Sequence, residues 1–311
     1  MFNLTTKERI MEHFTSRILM VSPNKFRNNE LTLSDNSFQS KKIKSVSISD
    51  NAIIEFERLK KAILKKGISV HAIEDDSEFD TPDAVFPNNW ISFHESNKAV
   101  LYPMFAPNRR LERKSSALQK LSNQGVQIEI IKDYSHYEKH NKFLEGTGSI
   151  VLDRKNKFAY CSLSNRSNLD LLNMFCSEMD YIPIVFNSTY ESKPIYHTNV
   201  MMSICNNFSL ICLDSINDQD QRKYVIDNLN DSNLEIIDIK IDQMCSFLGN
   251  SIQLIDSNSN PVLVMSSSAY KSMTSSQLNI INKYTDIVHS DIETIEFNGG
   301  GSARCMIAEI F

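Results

Sequence analysis

Strand-like and helix-like stretches alternate along this chain with a long, regular period, and few folds can accommodate that pattern. Asp50 reads as an N-cap, followed by Ile53, Phe56, Leu59, Ala62 and Ile63 at helical spacing. Lys65 and Lys66 suit the C-terminal end of the helix dipole, Gly67 suits the position just past it, and Ile68, Val70 and Ala72 then alternate like a half-buried strand. The unit recurs. Asn108 is placed to cap a helix carrying Leu111, Leu118 and Leu121, which Gly125 stops before Val126, Ile128 and Ile130 alternate. Ser167 is placed to cap a helix through Leu171, Leu172 and Phe175 ahead of YIPIVF, DQDQRKYVIDNLN precedes LEIIDIK, and SSQLNIINKYT precedes DIETIEF. AVLYPMF, FAYCSL, FSLICL and PVLVMSS read as the strands leading into these helices. The pattern amounts to about five strand–helix–strand units of roughly 60 residues each, which predicts an α/β repeat architecture closing on itself. No Pro/Gly/Ser-rich linker interrupts it, so residues 1–311 read as a single domain.

Composition matters here mainly for what it excludes. A net charge of −5 argues against a nucleic-acid partner, because phosphate binding needs a basic surface. MFNLTTKERI lacks the apolar stretch of a secretory leader, and no apolar run approaches the roughly 20 residues that span a bilayer. The six cysteines (Cys161, Cys176, Cys205, Cys212, Cys245 and Cys305) form no CxxC pair and read as reduced thiols of a cytoplasmic protein.

Four segments embed chemically capable groups in apolar sequence, where burial is costly unless those groups are satisfied or used. VFPNNWISFH carries adjacent Asn88 and Asn89 beside the only tryptophan. FLEGTGSIVLD sets Glu145 against a Gly-Thr-Gly turn. IYHTNVMMSI puts His197 and Asn199 on one side if it is a strand. GGGSARCM places Cys305 after three consecutive glycines, in a chain with only eight. Taken singly, each has a plain structural reading: a buried thiol, a hydrogen-bonded core histidine, a capping carboxylate, a tight turn. Together, Cys, His and Glu are the nucleophile, acid/base and orienting group of thiol catalysis.

Other signals are weaker. The glycines do not open a helix after a strand and no GK[ST] follows, which speaks against a phosphate loop. His136 and His140 lie four apart in SHYEKH without the HExxH order, so a solvated face is the better reading than a metal site.

The ordered set N-N-W, L-E-G-T-G-S, Y-H-T-N and G-G-G-S-A-R-C resembles the guanidine-modifying superfamily of arginine deiminases, dimethylarginine hydrolases and amidinotransferases, from MVSPNKF near Met20 to the last residue. The resemblance implies a five-bladed pseudo-symmetric α/β propeller (pentein) with its active site on the central axis, in keeping with the five units. It implies Cys305 as nucleophile, His197 as general acid/base and Glu145 as the carboxylate orienting it. Arg109 or Arg110, in APNRRLER, would hold the substrate carboxylate. The glycine loop, Gly301 included, would pass close to the substrate and deliver Cys305 to its carbon.

The departures bear on the substrate. Deiminases grip a guanidinium cation with aspartates at the positions held here by Asn89 and Asn199, and Gly148 replaces a further aspartate. Carboxylates offer only acceptors and negative charge; a carboxamide offers a donor and an acceptor without charge. That suits a neutral ureido group, and the motif set is also similar to the citrulline ureidase branch of the superfamily. The expectation is a cofactor-free, metal-free hydrolase acting on a small-molecule amino acid, citrulline, giving ornithine, ammonia and carbon dioxide. It has no nucleic-acid or membrane partner, and a homo-oligomer is left open. An arginine deiminase or related guanidine hydrolase is the alternative enzyme, and a non-catalytic binding protein on the same fold is the alternative of another class.

Overall fold

The computed structural model describes residues 13–40, 47–75, 79–113 and 115–311, so the leader reading at residues 1–10 lies outside the described residues. Strand β1 (Arg17–Ser22) crosses through helix α1 (Ile48–Leu64) to a parallel β2 (Ser69–Glu74). Phe56, Leu59 and Ile63 recur on the buried face of α1, and each large side chain so buried contributes about 1.5–3 kcal/mol. Asp50 sits in the first turn of α1 rather than capping it, where its carboxylate still meets the positive end of the helix dipole.

The same wiring then repeats. β3 (Ile91–His94) runs antiparallel to β4 (Lys98–Leu101), and the chain crosses through α2 (Ser115–Asn123) to β5 (Glu129–Asp133), parallel to β4. β6 (Val151–Asp153), β7 (Phe158–Ser162), α3 (Leu169–Met179) and β8 (Ile182–Phe186) repeat it. So do β11 (Met202–Ile204), β12 (Phe208–Ile211), α4 (Gln219–Asp231) and β13 (Glu235–Asp238), after a small hairpin of β9 (Thr189–Tyr190) and β10 (Lys193–Pro194). A fourth copy comprises β14 (Ile252–Ile255), β15 (Pro261–Ser266), α5 (Ser267–Ser272), α6 (Ser275–Ile281) and β16 (Asp286–Ser290). After helix α7 (Glu293–Gly299), β17 (Ala308–Glu309) pairs antiparallel with β1, so the first three-stranded sheet takes its leading strand from the far end of the sequence.

The described residues thus form a mixed α/β fold of five three-stranded sheets with one common topology. Neighbouring sheets touch: β17 lies beside β3, β6 beside β11 and β11 beside β14. Ile18 and Met20 of β1 pack with Ile252 and Leu254 of β14, which brings the first and last repeats together.

Several local expectations shift. DIETIEF is helix α7, not a strand; the strand is DIVHS. Glu55 of α1 explains why, since its buried carboxylate accepts from the N–H groups of Thr294 and Ile295 at 2.9 and 3.0 Å and caps that helix. Asn108 caps nothing: it leads into a tight turn, Arg109–Glu112, and its amide donates to Asn29 at 3.0 Å, while α2 starts at Ser115. Leu111, in that turn, is exposed. Asn168, not Ser167, caps α3, accepting from the Leu171 N–H at 3.2 Å. The strand expected from Val126 begins at Glu129.

Candidate active site

The polar groups singled out above fall at one structural position, the turn that immediately precedes the leading strand of a sheet. Asn88 and Asn89 end the turn Pro87–Asn89 before β3, and Glu145 opens the turn Gly146–Ser149 before β6. His197 and Asn199 flank Thr198 in the turn before β11, so they are not strand neighbours; His197 is extended and Asn199 is already in the helical turn Thr198–Met201. Cys305 stands three residues before β17. All six are buried.

His197 and Glu145 form a pair, with Nε2 and Oε2 2.8 Å apart. The other carboxylate oxygen accepts from the Phe105 N–H at 2.8 Å, and Arg166 Nη1 lies 3.5 Å from Oε2. Burial alone would raise the Glu145 carboxyl; Arg166, the bond from His197 and Arg109 outweigh it and hold it near pKa 2. An ionised carboxylate can only accept, so His197 carries its proton on Nε2 and keeps the Nδ1 lone pair free. Burial, against the pull of Glu145, holds the imidazole pKa below its ordinary value, so the ring is neutral at neutral pH. A β-carbon at Gly148 would come within 2.8 Å of that Nδ1 and closer still to the Asn89 amide. Only glycine fits there, which accounts for the missing aspartate.

The Cys305 sulfur accepts from the Asn250 amide at 3.2 Å and lies 3.5 Å from the Asn199 amide nitrogen. Burial pushes the thiol pKa up, opposed first by the Asn250 bond and then by the Ser302 backbone and the Arg304 charge. The glycine run serves the protein's own packing. Gly300 adopts φ +64°, and a β-carbon there would meet the backbone nitrogen of Gln39 at 2.7 Å. At Gly299 a β-carbon would strike the Phe86 ring at 2.7 Å. Tyr196 donates its hydroxyl to the Gly300 carbonyl at 2.5 Å and fixes the loop from the other side.

A cavity of about 260 Å³, its open mouth included, is bounded by Cys305, His197, Asn89, Gly301, Asp83 and Arg166, among others. A sequence model of the family described as "N,N dimethylarginine dimethylhydrolase, eukaryotic" matches residues 22–311. The chain belongs to this family. It therefore lies within the guanidine-modifying superfamily and is a hydrolase of guanidino or ureido C–N bonds. Solved structures share the fold of this dimethylhydrolase-family chain. The N-terminal domain of ArgZ, an arginine dihydrolase from the Ornithine-Ammonia Cycle in Cyanobacteria, solved bound to substrate, matches with a TM-score of 0.74 at 16% identity, over 94% of this chain and 97% of that one. AgrE in complex with L-arginine matches with a TM-score of 0.73 at 18% identity, over 95% of this chain but 40% of that one. DDAH from Pseudomonas aeruginosa complexed with citrulline matches with a TM-score of 0.63 at 13% identity, over 96% and 99% of the two chains. At these identities the likeness is one of fold. No curated protein sequence matches the chain.

Within this family member, the two arginines left open by the sequence separate. Arg109 is buried in the cavity wall and donates to both Glu112 oxygens at 2.9 Å and to Asn89 Oδ1 at 2.8 Å. Arg110 is outside the cavity, donating to the Met104 and Phe105 carbonyls at 3.0 and 3.1 Å beside the Phe143 ring. Asn88 accepts from the Asn89 amide at 3.0 Å, and its own Nδ2 has no partner.

Three groups escaped the sequence reading. Asp83 is buried, accepts from Asn29 through Oδ2 at 2.7 Å, and leaves Oδ1 without a partner at the cavity. Arg166 is buried, paired through two nitrogens with Asp35 at 2.8 and 2.6 Å and stacked over Tyr196. Asn250 touches the sulfur itself. In sequence they sit in TPDAVF, SNRSN and LGNS, which look like ordinary turns. The recurring position ahead of a leading strand is the one signal that could have exposed Asn250.

Asn199 also lines a second, larger cavity of about 660 Å³ with Arg154, Ser203, Gln253, Arg304 and Glu309. Among the described residues no group of three or more His, Cys, Asp or Glu could hold a metal ion, and no helix is long and apolar enough to cross a membrane.

Proposed function

We propose that this protein hydrolyses the ureido group of citrulline to ornithine, ammonia and carbon dioxide. The observation that carries this reading is the neutrality of the side chains that touch the sulfur: Cys305 meets carboxamides from Asn199 and Asn250, and a third, Asn89, stands in the cavity wall. A ureido oxygen needs donors there, and a guanidinium cation would need charge. The opposite end suits a zwitterionic amino acid, with the unpartnered oxygen of Asp83 for the ammonium and Arg166 and Arg109 as the positive charge for the carboxylate. The Pseudomonas aeruginosa DDAH complex supports a citrulline-shaped ligand on this fold. We read the five sheets as blades of a propeller around the site, with 1–311 as one catalytic unit in the cytoplasm.

In this mechanism the Cys305 thiolate attacks the ureido carbon and forms the C–S bond, while carboxamide donors stabilise the oxyanion. His197, held by Glu145, takes the thiol proton on its free Nδ1 as the sulfur attacks and passes it to the departing amine as the first C–N bond breaks. It then takes a proton from water, which attacks the same carbon; the C–S bond breaks, the sulfur recovers its proton from His197, and the carbamic acid released loses carbon dioxide to free the second amine. One water is consumed, which balances ornithine, ammonia and carbon dioxide against citrulline.

The family description favours a second reading, hydrolysis of a guanidino substrate such as arginine or N,N-dimethylarginine. The deciding measurement is kcat/KM for citrulline, arginine and N,N-dimethylarginine in the wild type and in the double variant Asn89→Asp/Asn199→Asp. The wild type should prefer citrulline. The variant should lose on the order of a hundredfold on citrulline, because unsatisfied buried groups cost about 1–3 kcal/mol each, and should shift its ratio toward arginine. A wild type that prefers a guanidino substrate refutes the citrulline assignment.

A further inference from the structure

We infer that Asn250 is a further catalytic residue, whose carboxamide donates to the Cys305 sulfur and holds it as the thiolate nucleophile. The repeat itself points to this residue. Four of the five sheets place a site residue in the turn before their leading strand: Asn89 before β3, Glu145 before β6, Asn199 before β11 and Cys305 before β17. In the remaining sheet that position, two residues ahead of β14, belongs to Asn250, which is fully buried.

Its contacts define its orientation. Oδ1 accepts from the Cys305 N–H at 3.3 Å, and a backbone N–H can only donate, so the amide nitrogen must face the other way. That nitrogen lies 3.2 Å from Sγ and 2.9 Å from the Asn199 carbonyl oxygen. The Asn250 carbonyl in turn accepts from the Arg304 N–H at 3.3 Å. One side chain therefore grips the nucleophile at its sulfur and at its backbone nitrogen. Asn199 is oriented less definitely: its nitrogen and its oxygen both lie near the sulfur, at 3.5 and 3.7 Å. A buried sulfur stays protonated unless something favours the anion, and a fixed N–H donor does so without introducing charge.

The charged and titratable groups around Cys305 are Arg304 beside it and His197, Tyr196, Asp83, Arg109 and Arg166 around the cavity. None of these charges is removed when Asn250 is replaced by leucine, a neutral residue of similar shape, so a shift in thiol ionisation reports the loss of the Asn250 carboxamide from around the sulfur.

This inference rests on Cys305 being the nucleophile, and its test reads the thiol without any substrate. Purified protein is alkylated with iodoacetamide from pH 6 to 10, and modification of the Cys305 peptide is followed by mass spectrometry. In Asn250→Leu the alkylation profile should move up by about one pH unit, a tenfold slower reaction at fixed pH below the midpoint. kcat/KM should fall at least tenfold, with KM changed less than threefold. A residue that merely braced the loop would lower thermal stability and leave the profile in place, and that result overturns the inference. Should Asn250→Leu fail to fold, the wild type still decides: the Asn250 side-chain NH2 resonance, assigned by its loss in Asn250→Asp, should titrate with the Cys305 alkylation midpoint. A resonance that ignores that midpoint is equally decisive against it. Normal turnover in Cys305→Ala would instead sink the thiol mechanism as a whole.

Discussion

The two ends of the reaction cavity are built on opposite principles. Around Cys305 the partners are neutral carboxamides, and what they contribute is direction: which end of each amide faces the sulfur. Around Asp83 the partners are charges held in a network of Arg109, Glu112, Arg166 and Asp35, which Glu145 joins to His197. There, burial raises the Glu112 carboxyl to about pKa 7 even with Arg109 bonded to it. The contrast implies a division of labour. On the proposed function, the charged end is the part that recognises an amino acid by its permanent charges, and the neutral end the part that distinguishes ureido from guanidino groups and does chemistry. Substitutions at the two ends should therefore fail differently, and that is how the comparison can be broken.

The largest effect belongs to the neutral end. Cys305→Ala should abolish turnover, a loss of about 10⁴-fold or more in kcat, and leave far-UV circular dichroism and thermal unfolding close to wild type. Wild-type protein quenched in turnover should carry its adduct on Cys305; an adduct on any of the other five thiols would move the chemistry elsewhere. At the charged end, Asp83→Asn keeps the shape and the Asn29 contact but removes the charge facing an ammonium. KM for citrulline should rise by roughly 10- to 100-fold with kcat little changed. A fall in kcat at constant KM would mean that the two ends are not separable. The smallest effect sharpens the boundary of the charged end. Arg110→Ala, which removes bonds to two backbone carbonyls, an ion pair with Glu138 at 3.7 Å and one ring contact, should change KM by less than about threefold. A tenfold rise would return Arg110 to the substrate.

How much of this could be read from the chain differs by scale. The repeat was legible because helical and alternating apolar periods are local, and Phe56, Leu59 and Ile63 fall where that pattern puts them. DIETIEF was not, because its helix depends on Glu55, a carboxylate more than two hundred residues away. Within the site, the sequence named groups by chemical type and motif, so the asparagines, the histidine and the thiol stood out. Asp83 and Arg166 did not, since nothing local marks a turn residue as buried. Arg109 and Arg110 are adjacent and chemically identical, and only the tight turn that buries one of them tells them apart.

The pairing of β17 with β1 sets Cys305 beside the seam where the two ends of the chain are knitted into one sheet. That contact spans nearly the whole sequence, the kind of closure that pays its loop entropy last. The position of Cys305 therefore depends on a contact between strands nearly three hundred residues apart in sequence. His197 and Glu145 depend on no such long closure, being only 52 residues apart. With Cys305 as the proposed nucleophile, turnover itself reports that β1 and β17 have paired.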